Sequence, residues 1–250
     1  MSSERAMQVF LEAFDGMPRL GPGQEAATHR AYRSLTLAAK PRILDLGCGN
    51  GRQTLDLAEV ASGPITAVDN HAPFLERLRE EANAQGVDER VRRICMDMAA
   101  LDFPHETFDL IWSEAAIYNI GFAKGLAAWK SLLAPGGQIA VSEACWLRPD
   151  PPPEIERWWR QEYPAITDVE TNLALIQEAG YEPLEHFTLP PEAWNDEYYG
   201  PLQPRIEQLR AKYAHEPEAS SVLDMMQLEI DQYNKYGDSY GYVFFLMRLT

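Results

Sequence analysis

The residues with the clearest chemical signature are three alternating glycines that follow an apolar run. Residues 43–51 read ILDLGCGNG, with the glycines at Gly47, Gly49 and Gly51. Glycines let a backbone approach a ligand closely, and amides at a helix start point at its polar groups. Asp69 follows Gly51 by 18 positions, at the end of the next apolar run, where a carboxylate can accept hydrogen bonds from ribose hydroxyls. This spacing predicts a nucleoside-containing ligand at the turn.

The elements that position this turn are predicted from apolar runs that alternate with helical patterns between residues 41 and 146. Such alternation is typical of a mostly parallel sheet with crossover helices. Pro135, Gly136 and Gly137 are expected to form a turn that ends the helix before the fifth strand. The predicted strands cover residues 42–46, 65–69, 91–95, 108–113 and 138–143.

The residues outside the core are predicted to add helices and strands to a single domain. We expect a single domain over residues 1–250, with a helical N-terminal lid over residues 1–40 and a ligand-binding core over residues 41–146. Residues 147–250 should contain two closing strands, 184–189 and 240–249, that form an antiparallel pair at the sheet edge. An aromatic-rich helical cap, residues 190–238, is predicted between these two strands.

The glycine-rich turn resembles motif I of the class I SAM-dependent methyltransferases, in which an acid stands two residues before the first glycine and the glycines are spaced by one residue. The dinucleotide fingerprint spaces its last two glycines by two residues, unlike this sequence. Residues 113–121, with Gly21, Pro22 and Gly23, resemble a bacterial branch related to the ubiquinone/menaquinone-type methyltransferases. The resemblance implies an α/β, Rossmann-like fold with helices on both sheet faces, and S-adenosyl-L-methionine (SAM) as cofactor with S-adenosyl-L-homocysteine as product.

The same resemblance implies roles for residues beyond motif I. Asp97 and Met98 look like the pair that reaches the adenine, and Glu114 looks like a residue beside the methionine part of SAM. The alternative for Glu114 is a loop carboxylate that caps the following helix. The predicted cofactor-binding residues are Asp45, Gly47, Cys48, Gly49, Asn50, Gly51, Asp69, Asn70, Asp97, Met98 and Glu114.

A methyl acceptor is expected beside the carboxyl ends of the fourth and fifth strands. Tyr118 follows Glu114 by one helical turn and should share its face, and Trp146 and Tyr198 are the other predicted substrate-binding residues. The aromatic residues after the fifth strand form either the core of the cap or a box for a planar or cationic acceptor. No catalytic base is evident, because the five histidines are scattered along the chain.

The amino-acid composition limits the classes of molecule that the protein is expected to bind. The net charge of −16 repels phosphate backbones, so we expect no nucleic acid and instead a neutral or cationic small molecule. No signal peptide or membrane span is visible, and three widely spaced cysteines predict reduced thiols, no metal site and a cytoplasmic location.

We therefore predict methyl transfer from SAM to a small molecule by in-line displacement. A SAM-binding protein without transferase activity is the alternative, and a NAD(P)-dependent oxidoreductase is a weaker one.

Overall fold

A mixed eight-stranded sheet organises residues 4–250, the part of the chain that the computed structural model describes. The sheet order is β3-β2-β1-β4-β5-β8-β7, and β6 pairs with the end of β5. Strand β8 runs antiparallel to both of its neighbours, β5 and β7, whereas the other pairs are parallel. The strands are β1 (Ile43–Leu46), β2 (Ile65–Asp69), β3 (Val91–Cys95), β4 (Phe108–Ser113), β5 (Leu133–Trp146), β6 (Thr167–Asp168), β7 (Tyr181–Thr188) and β8 (Tyr240–Leu249).

Ten α-helices surround the sheet in the described part of the chain. The central strand β1 is buried at all four residues, as expected when helices cover both faces of a parallel sheet. The helices are α1 (Glu4–Phe14), α2 (Glu25–Arg33), α3 (Arg52–Val60), α4 (Ala72–Ala84), α5 (Phe122–Trp129), α6 (Pro153–Glu162), α7 (Val169–Glu178), α8 (Glu192–Trp194), α9 (Gly200–Lys212) and α10 (Pro217–Tyr236).

The predicted fold class is confirmed, including the antiparallel edge pair, and one local prediction is wrong. Helix α5 ends at Trp129, followed by a 3₁₀ turn, and β5 already begins at Leu133. Pro135, Gly136 and Gly137 therefore lie inside β5 rather than in a turn that ends the helix. Gly136 has a φ of +72°, and the pairing with β4 shifts register between Phe108 and Leu110. These three residues, 135–137, therefore form a local irregularity within β5.

The N-terminal helices and the helices between β7 and β8 cover the same face of the sheet. Helix α1 packs against α9 and α10, and one hydrophobic core joins these helices to the strands beneath. The predicted lid also includes residues 1–3, which lie outside the described residues. We refer to residues 192–236, the helices α8 to α10, as the cap. None of the helices within residues 4–250 is both long and apolar enough to cross a membrane.

Candidate functional site

The glycine-rich turn forms the floor of a cleft at the carboxyl ends of β1 and β2. Gly47 has a φ of +69°, and a Cβ atom added there would lie 2.5 Å from Ala116 Cβ and 2.7 Å from Met98 Cε. Gly49 has a φ of +53°, and an added Cβ would lie 2.8 Å from Leu20 Cδ1. Side chains at these two positions would therefore collide with the walls of the cleft.

Asp69 fixes the geometry of this turn through backbone amides. One of its carboxylate oxygens accepts a hydrogen bond from Gly49 N at 2.8 Å, and the other accepts one from His71 N at 2.8 Å. The carboxylate thus joins the motif I turn to the start of α4. Because each oxygen has a further lone pair, Asp69 retains the capacity to accept hydrogen bonds from a ligand.

Most of the predicted cofactor residues line two adjoining spaces. The larger is a cleft of about 860 Å³, and the smaller is a pocket of about 60 Å³ beneath residues 19–22. The cleft is lined by Gly47, Gly49, Asp69, Asn70, Asp97 and Met98. The pocket is lined by Gly47, Cys48, Gly49, Asn50 and Glu114.

Asp45 and Gly51 lie behind these spaces rather than on their surface. Asp45 is fully buried, and its Oδ2 accepts a hydrogen bond from Thr54 Oγ1 at 2.5 Å. Burial, together with the negative charges of Glu114 and Asp69, raises the pKa of Asp45 to about 7. A Cβ at Gly51 would lie 2.3 Å from Leu78 Cδ1, so this glycine permits α4 to pack closely against the start of α3.

Glu114 is part of a buried charge cluster centred on Arg19, a residue that the sequence analysis missed. Arg19 is 3% exposed and lies between α1 and α2. Its guanidinium is 2.7 Å from Asp56 in α3, 3.6 Å from Glu114 after β4, and 3.1 Å from Glu197 in the cap. Burial alone would lower the pKa of Arg19, but the three acids outweigh burial and raise it. Arg19 is a single charged residue outside any periodic or motif pattern, so the sequence did not predict this role.

The remaining contacts of Glu114 come from two other elements. Its Oε1 accepts hydrogen bonds from Thr28 Oγ1 at 2.6 Å and from Trp112 Nε1 at 2.9 Å. Its Oε2 has no hydrogen-bond partner among the described residues, and the same holds for the Oδ1 atom of Asp45. Because Glu114 lines the small pocket, its Oε2, which has an ion pair with Arg19 but no hydrogen bond within residues 4–250, is a candidate acceptor for a donor on a bound ligand.

The expected common face of Glu114 and Tyr118 is not formed. Ala115, between them, has a φ of +48°, and helical geometry begins only at Ile117. The backbone therefore turns, which buries Glu114 below residues 19–22 and directs Tyr118 elsewhere. Tyr118 is 39% exposed, although burial of its hydroxyl raises its pKa.

Tyr118 separates the cleft from a second, aromatic cavity of about 280 Å³ beneath the cap. Five residues line both spaces, which are therefore adjacent: Phe10, Phe14, Leu20, Ala115 and Tyr118. Tyr198 lines the aromatic cavity as predicted from its position. Trp146 does not line it and instead packs edge-on against Tyr240, with ring centroids 6.5 Å apart. The sequence analysis missed the contribution of Phe10 and Phe14 from α1.

Glu143, near the end of β5, is a second buried acid that the sequence analysis missed. It is 1% exposed, and its Oε1 accepts a hydrogen bond from Ala144 N at 2.8 Å. The Tyr163 side chain also lies close to this carboxylate and favours its charged form, but burial has the larger effect. Burial raises the pKa of Glu143 to about 8. The carboxyl group is therefore protonated over much of the neutral range.

Outside the site, Glu25, His29 and Glu59 bring three potential ligand atoms within 4.8 Å of one another. Both acids are exposed, and the His29 ring nitrogen Nε2 lies 2.9 Å from the carbonyl oxygen of Asp56. The position of the His29 side chain is therefore explained by contacts within the protein, without a bound metal ion. The absence of a resident metal stays a prediction.

Comparison with known proteins identifies the domain that contains the cleft. Residues 43–137 match the family model described as a methyltransferase domain. The chain is 28% identical over 162 residues to a 27-O-demethylrifamycin SV methyltransferase of Amycolatopsis mediterranei, covering 62% of this chain and 59% of the relative. It is 29% identical over 169 residues to a demethylmenaquinone methyltransferase of Lactiplantibacillus plantarum, covering 64% of this chain and 70% of the relative.

A solved structure of a SAM-dependent methyltransferase from Geobacter sulfurreducens, in complex with S-adenosyl-L-homocysteine, is similar over 97% of this chain and 98% of that one. The TM-score is 0.82 at 20% sequence identity, which supports the fold assignment. Residues 43–137 thus match a methyltransferase domain, in agreement with the motif I prediction, and such a domain implies SAM as the cofactor. The chain spans about half the length of several curated relatives that it matches.

The first testable prediction concerns Arg19. The substitution Arg19→Leu should lower the free energy of unfolding by about 3 to 5 kcal/mol, because the buried Glu114 loses its cation and Asp56 keeps only its pair with Arg52. Urea denaturation measures the change. The control Arg79→Leu breaks an exposed pair with Glu76 and should cost less than about 1 kcal/mol. Equal losses in the two variants would contradict the structural role assigned to Arg19.

The second testable prediction concerns Glu143. The stability that its bound proton provides is fully present below about pH 4.5, the ordinary pKa of the group, and is lost as the pH rises through about 8. Glu143→Gln does not titrate, so its free energy of unfolding relative to the parent should increase steadily between pH 5 and pH 8. Denaturation curves at several pH values measure this difference. A difference that is constant with pH would show that Glu143 ionises normally.

Proposed function

We propose that this protein binds SAM in the 860 Å³ cleft and transfers its methyl group to a small molecule held in the aromatic cavity. The observation that carries the proposal is the shared wall: Phe10, Phe14, Leu20, Ala115 and Tyr118 line both spaces. A donor in the cleft and an acceptor in the cavity would meet beside these residues. In-line methyl transfer requires this kind of alignment more than it requires acid–base chemistry.

In this proposal the turn and its neighbours hold the donor. Asp69 accepts hydrogen bonds from the ribose, Asp97 and Met98 contact the adenine, and Gly47 and Gly49 permit close approach of the backbone. The small pocket beside Arg19 and Glu114 receives the amino-acid part. Glu114 supports this assignment, since it lines this pocket, its Oε2 has no hydrogen bond among the described residues, and the amino group of SAM carries hydrogen-bond donors.

The enclosed shape of the aromatic cavity supports a small acceptor. Helix α1 packs against α9 and α10 over this cavity, and such a cover favours a small acceptor over a folded protein or a nucleic-acid strand. The net charge of −16 supports a neutral or cationic acceptor. The three free thiols support the proposal that the protein works in the reducing cytoplasm. We propose that Tyr118 and Tyr198 contact the acceptor, whereas Trp146 supports the wall from behind.

A SAM-binding protein without transferase activity would keep the donor cleft and lack a productive acceptor position. The wall shared by the cleft and the cavity favours the transferase. The oxidoreductase alternative is disfavoured, since residues 43–137 match a methyltransferase domain.

The third testable prediction concerns the donor site. Asp69→Ala should weaken SAM binding by about 1.5 to 3 kcal/mol, the range of a hydrogen bond to a charged group, while the circular dichroism spectrum is retained. Titration calorimetry with SAM and with NADH measures affinity and selectivity. Asp102→Ala removes an exposed acid outside the cleft and serves as the control. Unchanged SAM affinity in Asp69→Ala would refute the ribose assignment, and binding of NADH instead of SAM would refute the proposed function.

The fourth testable prediction separates donor from acceptor. Tyr118→Phe should reduce turnover of an acceptor found by screening small molecules with labelled SAM, and it should leave SAM affinity nearly unchanged. The reason is that the Tyr118 hydroxyl is buried on the side of the aromatic cavity, near Glu229 and Glu143. The control is Tyr32→Phe, because Tyr32 lies outside both the cleft and the aromatic cavity. Parental turnover in Tyr118→Phe would show that its hydroxyl takes no part in the reaction.

A further inference from the structure

The aromatic cavity has walls of a kind that attracts cations. Rings surround it from α6, the cap and β8, among them Trp158, Trp159, Trp194 and Tyr240. The centroids of Trp159 and Tyr240 are 5.0 Å apart at an interplanar angle of 74°, so neighbouring rings present both faces and edges. The faces of aromatic rings carry negative electrostatic potential, and enclosed sites with several such faces recognise ammonium groups.

The charges on the cavity wall have one sign. Glu162 and Glu229 line it, and no lysine, arginine or histidine within residues 4–250 does so. Glu229 Oε1 accepts hydrogen bonds from Tyr199 Oη at 2.9 Å and from Tyr198 Oη at 3.3 Å. Glu229 forms no ion pair with a described residue, unlike the acids around Arg19. Burial raises the pKa of Glu229, because no cation offsets the loss of water.

Two polar atoms of the wall lack partners as well. Trp159 Nε1 and Tyr240 Oη are buried and form no hydrogen bond with any residue in the described part of the chain. An indole nitrogen can only donate, so its complement is a ligand atom that accepts a hydrogen bond, such as a hydroxyl or ether oxygen. The cavity thus combines a carboxylate, aromatic faces and an unused donor.

We propose that the acceptor is an aliphatic amine that carries a hydroxyl or ether oxygen, and that Glu229 is the counter-charge of its nitrogen. This inference rests on the proposed function and names its substrate class. A neutral amine, having left its proton in water, uses its nitrogen lone pair to form the new bond to the methyl carbon. The bond from that carbon to sulfur breaks, and its electron pair stays on sulfur. The positive charge passes from sulfur to nitrogen, where Glu229 and the rings stabilise it, and a primary or secondary amine then releases its proton to water.

Choline and its uncharged isostere 3,3-dimethylbutan-1-ol test this inference, because they share shape and hydroxyl group and differ in the charge. Neither needs methyl transfer, so calorimetry on the full chain measures binding directly, with and without S-adenosyl-L-homocysteine. Choline should bind at least about tenfold more tightly than the isostere, the preference expected when a desolvated cation meets aromatic faces and a carboxylate. Tetramethylammonium, which lacks the hydroxyl, should bind more weakly than choline.

Glu229→Gln keeps an oxygen that can accept hydrogen bonds from Tyr198 and Tyr199, and it should reduce the preference for choline about tenfold. The control Glu207→Gln makes the same charge change on the exposed face of α9 and should retain the preference. Equal binding of choline and its isostere would overturn the inference, and so would a choline preference that persists in Glu229→Gln. Failure of SAM to bind in a separate titration would instead overturn the proposed function, whatever the result with choline.

Discussion

Arg19 connects three parts of the chain that are distant in sequence. Its guanidinium meets Asp56 from the helix after motif I, Glu114 from the end of β4 and Glu197 from the cap. Isolated charges are costly to bury, so the buried arginine depends on these acids, and Glu114 depends on the arginine. The other two acids also pair with Arg52. The position of the segment between α1 and α2 is set by this cluster. The roof of the small pocket and one wall of each larger space follow from it.

The two halves of the site differ in how they are built. The cleft consists of backbone turns, glycines and carboxylates that are held by amides, as Asp69 is by Gly49 and His71. The aromatic cavity consists of packed rings from several elements. Trp194 stacks on Tyr233 with centroids 4.3 Å apart, and Tyr198 stacks on Tyr199 at 4.8 Å. Because these rings support one another, the cavity keeps its shape through side-chain packing rather than through main-chain hydrogen bonds.

The residues that line the cleft were easier to predict from the sequence than those that line the aromatic cavity, for a physical reason. Motif I, Asp69 and the strand pattern are local signals, because a glycine-rich turn between a strand and a helix needs particular residues at fixed spacing. Arg19, Glu143 and Glu229 act through contacts between distant segments, which no local period encodes. The predicted common face of Glu114 and Tyr118 failed on one residue, Ala115, whose positive φ is uncommon for a side chain with a Cβ. Trp146 was expected in the cavity from its position after β5, but it packs against Tyr240 and does not line the cavity.

The position of the cap between β7 and β8 determines how readily the length and sequence of this segment can vary. These two strands are hydrogen-bonded neighbours, so the ends of the insertion are held close together by the sheet itself. Lengthening or replacing a segment with fixed, adjacent ends costs little chain entropy. The cap is one continuous stretch, and residues 43–137 of the methyltransferase domain lie wholly outside it. Replacement of the whole cap would therefore change the aromatic cavity while leaving residues 43–137 intact. The new segment would need an acid at the position where Glu197 pairs with Arg19.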